Sequence, residues 1–310
     1  MENKIGIYIS GLGETFKKEN VEKYAQRIKN ELNYSTDGKV FNSKTEIKSY
    51  SEGLESTLVT IYEGEENNPN VVYKLYDFDY NQTLIDGFKK KNILHKNFIL
   101  LWLVVKKFPL LVYKMFFYKA FNRPYLTFYA FSLFFIISLA IIFLIPASID
   151  LATQLSFTKE LVSFLKLIRL DFLVNIFYSI DAKAILKFLV PFTTLILLIT
   201  PESKVVITSL ATEFAAVDQY LESGEKSQVI LGNLDLLIEY ISEEESNSNI
   251  HLHCYSFGSL IATDLLFPVG NIPSKNVRNR INLLVTTGNP YEFINAYYPK
   301  YFQNRNFDKR

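Results

Sequence analysis

Hydrophobic and polar positions follow three different rhythms along this chain. The first is a set of short apolar runs punctuated by turn residues. Lys4–Ser10 (KIGIYIS) closes on Gly11-Leu12-Gly13-Glu14 and predicts a buried strand. Val21, Tyr24, Ile28 and Leu32 then recur at helical spacing behind Asn20, a residue suited to cap a helix start. Strand, glycine turn and helix in that order open an α/β domain. Between Lys39 and Tyr76 the runs KVFNSKTEIKSY, STLVTIYEGE and VVYKLYDF predict three strands, with a turn at Asn67–Asn70 and at least one antiparallel pair.

The second rhythm begins near Asn97. Lys106, Lys107, Lys114, Lys119 and Arg123 stud a run rich in Phe, Leu and Tyr whose apolar pieces are too short to span a bilayer. That pattern predicts helices lying on a membrane surface with lysines toward anionic lipid headgroups. Residues 124–149 carry no charge at all, and roughly 20 apolar residues suffice to cross the hydrocarbon layer, so a transmembrane helix is expected at about 125–147. Thr158–Tyr178 repeats apolar residues at amphipathic spacing. A second span is expected at 184–200, with Lys187 near one end and Pro191 inside. Two crossings and the lysines ahead of the first span predict an integral membrane protein with both flanking halves on the cytoplasmic side.

After Lys204 the first rhythm returns. Val205–Leu221 and Lys226–Ser242 predict helices, the second with Val229, Leu234, Leu237 and Ile241 as its buried stripe. A polar loop over Glu243–Asn249 leads to an alternating strand from Ile250, a turn at Ser256, a helix to about Phe267, and a further buried strand over Arg280–Thr287. The expected fold class is α/β, a mostly parallel sheet with flanking helices. Residues 1–96 would form its N-terminal half, 97–203 a membrane-associated helical insertion, and 204–310 its C-terminal half.

Composition narrows the function classes. Lys and Arg number 33 against 32 Asp and Glu, a net charge of +1, which provides no basic field for nucleic acid. A single cysteine, Cys254, excludes an intramolecular disulfide framework and a cysteine-rich zinc site. MENKIGIYIS lacks the basic and long apolar regions of a signal peptide. GLGETF follows a strand, yet Phe16 stands where a dinucleotide-binding loop needs its third glycine, and no Gly-Lys-Ser/Thr phosphate loop occurs. His251 and His253 offer two nitrogens that no neighbouring ligand cluster completes, so neither metal nor cofactor is expected. Asn33 and Asn81 fit the glycosylation pattern, which has no meaning on a cytoplasmic face.

The sharpest chemical signal is CYSFGS at the join of the Ile250 strand and the following helix. A serine there is pushed out of the sheet end on a turn so tight that small residues are needed two positions before and after it; Gly258 meets the second need and Cys254 stands at the first. This stretch resembles the nucleophile elbow of the α/β-hydrolase superfamily, with the first glycine replaced. ISGLGETF resembles the loop that supplies an oxyanion donor in that family. The resemblance implies a serine esterase or lipase-like hydrolase with Ser256 as nucleophile and backbone N–H groups of Leu12 or Gly13 and of Phe257 around the oxyanion.

That family also supplies an acid and a histidine after the nucleophile. Here His95, His251 and His253 all precede Ser256, and Asp264 and Glu292 are not placed as triad acids. Either the chain is an incomplete copy on its C-terminal side or the protein lacks that base. His253 is expected to point into the sheet packing as a core histidine beside His251. The expected function is therefore a membrane-anchored serine hydrolase acting on acyl esters or lipids. The alternative is a non-catalytic membrane protein using the same fold to bind a partner or lipid.

Overall fold

The structure, a computed structural model, describes residues 4–13, 19–65, 69–89, 212–245, 248–298 and 300–303, with scattered positions between 99 and 113. The chain divides into two compact units, Met1–Asp86 with Val217–Arg310, and Gly87–Ala216. The first unit carries the site described below.

Its centre is a six-stranded sheet in the order β2-β3-β4-β1-β5-β6. The strands are β1 (Lys4–Ile9), β2 (Phe41–Ser51), β3 (Leu54–Glu63), β4 (Asn70–Phe78), β5 (Asn249–Tyr255) and β6 (Ile281–Thr287). β1 runs parallel to β4 on one side and to β5 on the other, and β5 runs parallel to β6. The β2–β3 and β3–β4 pairs are antiparallel, so the sheet is mixed, which corrects the expected mostly parallel arrangement. The cause is local. β2 and β3 meet at Glu52-Gly53, where Gly53 has φ +72°, a conformation that costs glycine little and lets the chain turn straight back on itself. Two hairpin connections in succession leave three strands in an antiparallel meander. Because β1 and β5 are hydrogen-bonded neighbours, the segments before residue 86 and after residue 217 share one sheet.

Register sorts the side chains. Ile5, Ile7 and Ile9 lie level with Ile250, Leu252 and Cys254 on one face, and all six are buried. Gly6 and Tyr8 lie level with His251 and His253 on the other. Helix α1 (Glu19–Ser35) packs on β2, β3 and β4, burying Val21 and Ala25 against Val59, Ile61 and Leu75. Asn33 near its end binds both backbone groups of Phe41, donating to the carbonyl at 3.4 Å and accepting from the N–H at 2.8 Å. A side chain whose sequence context fits the glycosylation pattern is thus employed in fastening α1 to β2.

Helix α2 (Asn81–Lys89) follows β4. A π-helical turn, Gln219–Ser223, leads into α3 (Glu225–Glu244), which buries Ile230, Leu234, Leu237, Ile238 and Ile241. Val229, expected in that stripe, is 47% exposed, and its neighbour Ile230 takes the buried position. Helix α4 (Gly258–Leu266) packs on β1, β5 and α3, and α5 (Lys275–Arg280) leads into β6. Short helices α6 (Tyr291–Tyr297) and α7 (Lys300–Gln303) follow. β6 is less buried than expected, with Leu283 and Leu284 exposed, because it is the last strand of the described sheet and has a partner on one side only.

The membrane expectation is corrected as well. No helix among the described residues is long and apolar enough to cross a membrane. The longest, α3, carries Glu225, Lys226, Asp235, Glu239, Glu243 and Glu244 along its length. The segments expected to span, 125–147 and 184–200, lie outside the described residues, so the expected integral membrane protein with two transmembrane helices has no support in the fold.

Candidate active site at the β1–β5 crevice

The chain leaves β1 toward β4 and leaves β5 toward β6, so the strand order reverses between these two neighbours. In open α/β sheets a crevice forms beyond the carboxyl ends of strands at such a point, because the following connections depart in opposite directions. The Gly11–Gly13 loop follows β1 and Ser256 follows β5, so both segments singled out from the sequence meet there.

Ser256 is held in the left-handed region, at φ +49°, and is the only non-glycine residue among those described with positive φ. For an L-residue this conformation costs about 1–2 kcal/mol, since Cβ crowds the carbonyl oxygen. Two hydrogen bonds and two close glycine approaches over-determine it. The Ser256 N–H donates to the Thr287 carbonyl at the end of β6, 2.8 Å away, and its own carbonyl accepts from Ser259 N–H at 3.0 Å in the first turn of α4. Gly258 lets α4 settle on β1: a Cβ there would stand 2.4 Å from the Ile9 carbonyl oxygen and 2.7 Å from that of Ser10. Gly11 performs the same service from the other side, since a Cβ on it would lie 3.1 Å from Ser256 Cβ.

The loop after β1 is tied to the end of β4. Tyr80 Oη donates to the Ser10 carbonyl at 3.0 Å. The Asn81 amide donates to Ser10 Oγ at 3.3 Å and to the Gly11 carbonyl at 3.4 Å, while Asn81 Oδ1 accepts the Gly13 N–H at 3.4 Å. Gly13, at φ +147°, therefore already spends its N–H on Asn81. The N–H groups of Leu12 and Phe257 and the hydroxyl of Ser256 make no hydrogen bond among the described residues. Phe257 is buried, its ring packed against Tyr80 and edge-on to Tyr220, which fixes the backbone of the turn.

His253 does not approach Ser256 Oγ. It lies on the α1 face, with Nδ1 2.9 Å from Tyr24 Oη and Nε2 2.7 Å from Tyr73 Oη. Tyr73 reaches on to His251 Nδ1 at 3.1 Å. A neutral imidazole has one donor and one acceptor nitrogen, which the two tyrosine hydroxyls satisfy together. Burial first, and then His251, push His253 down to about 4. Burial, followed by Lys4, also lowers His251. Cys254 faces the isoleucine side, and burial pushes its thiol up to about 12, so it is a packing residue rather than a second nucleophile. Asp264, on the helix after the turn, accepts from Tyr220 and Tyr301 at 2.7 Å each. Glu292 buries Oε2 without a hydrogen-bond partner among the described residues. His95 lies outside the described residues, and among those described no cluster of His, Cys, Asp or Glu is arranged to hold a metal ion.

A cavity of about 330 Å³ opens on the α1 face beside this crevice. It is lined by Tyr8, Lys23, Tyr24, Arg27, His253 and Tyr255, among others. Of these positions the sequence reading used Tyr24 only as a helix-face residue and left Tyr8, Lys23, Arg27 and Tyr255 aside. Tyr80 and the structural role of Asn81 were also unread. The one available signal for Asn81 was its place at the start of a helix just after β4, where Asn commonly serves the backbone.

The chain matches no protein-family model, no curated protein and no solved structure. Together with the mixed sheet, this overturns the expected membership of the α/β-hydrolase superfamily, and the candidate site rests on its own geometry.

Proposed function

We propose that Ser256 is the nucleophile of an acyl-transfer reaction on small esters. The observation that carries this reading is the left-handed backbone of Ser256, held at the strand-order reversal where serine is sterically disfavoured and glycine would be relaxed. Serine Oγ attacks the ester carbonyl, the Oγ–acyl bond forms as the ester C–O bond breaks, and the alcohol leaves with a proton. Water then attacks the acyl carbon, releases the acid and restores the hydroxyl. The N–H groups of Phe257 and Leu12, which have no other acceptor among the described residues, are the candidate donors to the oxyanion. Gly13 is the weaker candidate because Asn81 already accepts its N–H.

No histidine among the described residues is bonded to Ser256 Oγ, so the serine proton is expected to leave through water. Acylation then rises with pH and outpaces the hydrolysis of the acyl-enzyme. A p-nitrophenyl acetate assay tests this: a burst of one nitrophenolate per chain is expected, lost in Ser256→Ala, and equal bursts in both proteins would refute it.

A second reading, non-catalytic binding of a small molecule at the same crevice, is favoured by that missing base. It predicts ligand binding with no burst.

A further inference from the structure

We propose that the cavity beside α1 is a binding site for a small aromatic anion, a molecule carrying a carboxylate or phosphate on a flat ring. Its volume of about 330 Å³ falls at the lower end of small-molecule pockets, which run from roughly 300 to 1,000 Å³. Among the described residues the charge on its walls has one sign. Lys23 and Arg27 stand four residues apart on α1, hence on one helix face, and both line the cavity. No Asp or Glu is found among its described lining residues. Arg27 forms no ion pair among the described residues, leaving its fork of donors for an incoming anion, the geometry that suits carboxylate and phosphate. Asp77, the register partner of Tyr8, acts on the Tyr8 hydroxyl but does not reach the cavity wall.

The remaining surface suits a ring. Tyr8 and Tyr24 stack with centroids 5.0 Å apart at 28°, and Tyr24 packs against the His253 ring at 5.3 Å. These flat walls are pinned by the Tyr24–His253 hydrogen bond, so a bound ring meets a surface already in place. His253 adds no positive charge of its own, being engaged as a neutral ring, so the anion is assigned to Arg27. Ser256 does not line the cavity, although Thr287, whose carbonyl accepts the Ser256 N–H, does. The cavity is therefore a separate site from the one proposed at Ser256.

Titration calorimetry on the full-length chain, at physiological ionic strength, with phenyl phosphate, benzoate and benzyl alcohol, tests it. Both anions are expected to bind at least about tenfold more tightly than the neutral alcohol. Arg27→Gln is expected to weaken the anions about tenfold, and Arg27 is exposed on α1, so the change leaves the fold intact. Val285→Phe, which fills the cavity from β6, is expected to abolish binding, and Ser256→Ala to leave it unchanged. Benzyl alcohol binding as well as the anions would overturn the proposal, as would anion affinity indifferent to Arg27→Gln and Val285→Phe, or no anion binding at millimolar concentration.

Discussion

Gly6 of β1 and Tyr73 of β4 occupy the same space: a Cβ on Gly6 would stand 2.7 Å from Tyr73 Oη and 2.9 Å from Tyr73 Cε1. Only because β1 offers a bare backbone at this point can Tyr73 lie across it and reach both histidines of β5. Three strands are stitched together over one missing methyl group.

Gly6→Ala is accordingly expected to cost about 1–3 kcal/mol through overpacking, since the Tyr73 ring cannot withdraw without leaving His251 and His253 unsatisfied. Urea denaturation measures the loss. Tyr73→Phe in the same background should recover little of it, because the ring carbon collides as well as the hydroxyl.

The same cluster sets an acid limit on stability. His253 is pushed from 6.5 to about 4 in the folded chain, so between those values the unfolded state binds more protons than the folded state. The stability this histidine contributes is fully present above pH 6.5 and is lost as the pH falls from there toward 4. Half-burial tempers the shift, and about 2 kcal/mol is expected over that interval. His251, lowered in the same direction, adds to the fall. His253→Gln should flatten the acid limb of a plot of unfolding free energy against pH.

Ser259 lies on α4 one turn beyond Ser256, fully buried, with a hydroxyl that has no hydrogen-bond partner among the described residues. Removing an unsatisfied buried hydroxyl relieves a desolvation cost of about 1–3 kcal/mol, offset in part by the small void left behind. Ser259→Ala is expected to raise the thermal midpoint, and differential scanning fluorimetry checks it.

Much of this architecture was visible in the residues and some of it was not. The strands β1, β4 and β5 and the turn at Ser256 announced themselves because apolar alternation and glycine are local signals. The meander of β2, β3 and β4 was less clear in its pairing, since strand direction depends on which partner each strand finds. The exchange of Val229 for Ile230 in the buried stripe of α3 turns on a rotation of one residue, which spacing alone does not fix. The cavity cations Lys23 and Arg27 look in sequence like any solvated face of an amphipathic helix. They acquire meaning only when Tyr8 and His253, distant in the chain, are brought beneath them.

The strain at Ser256 makes an opposed pair of predictions. Ser256→Gly is expected to stabilise the fold by about 1 kcal/mol, because glycine enters the left-handed region without the Cβ cost, while abolishing acyl transfer. Gly258→Ala, whose Cβ would meet the Ile9 carbonyl oxygen at 2.4 Å, is expected to destabilise by about 3 kcal/mol and to abolish acyl transfer with Ser256 still present. Paired denaturation and ester assays separate the two.

Covalent labelling of the full-length native chain with a fluorophosphonate, read by intact mass and peptide mapping, shows whether the Ser256 hydroxyl is a reactive nucleophile. One adduct per chain on Ser256 is expected, absent after unfolding and absent in Ser256→Ala. A native chain that takes up no label at Ser256 would rule out a nucleophilic role for it.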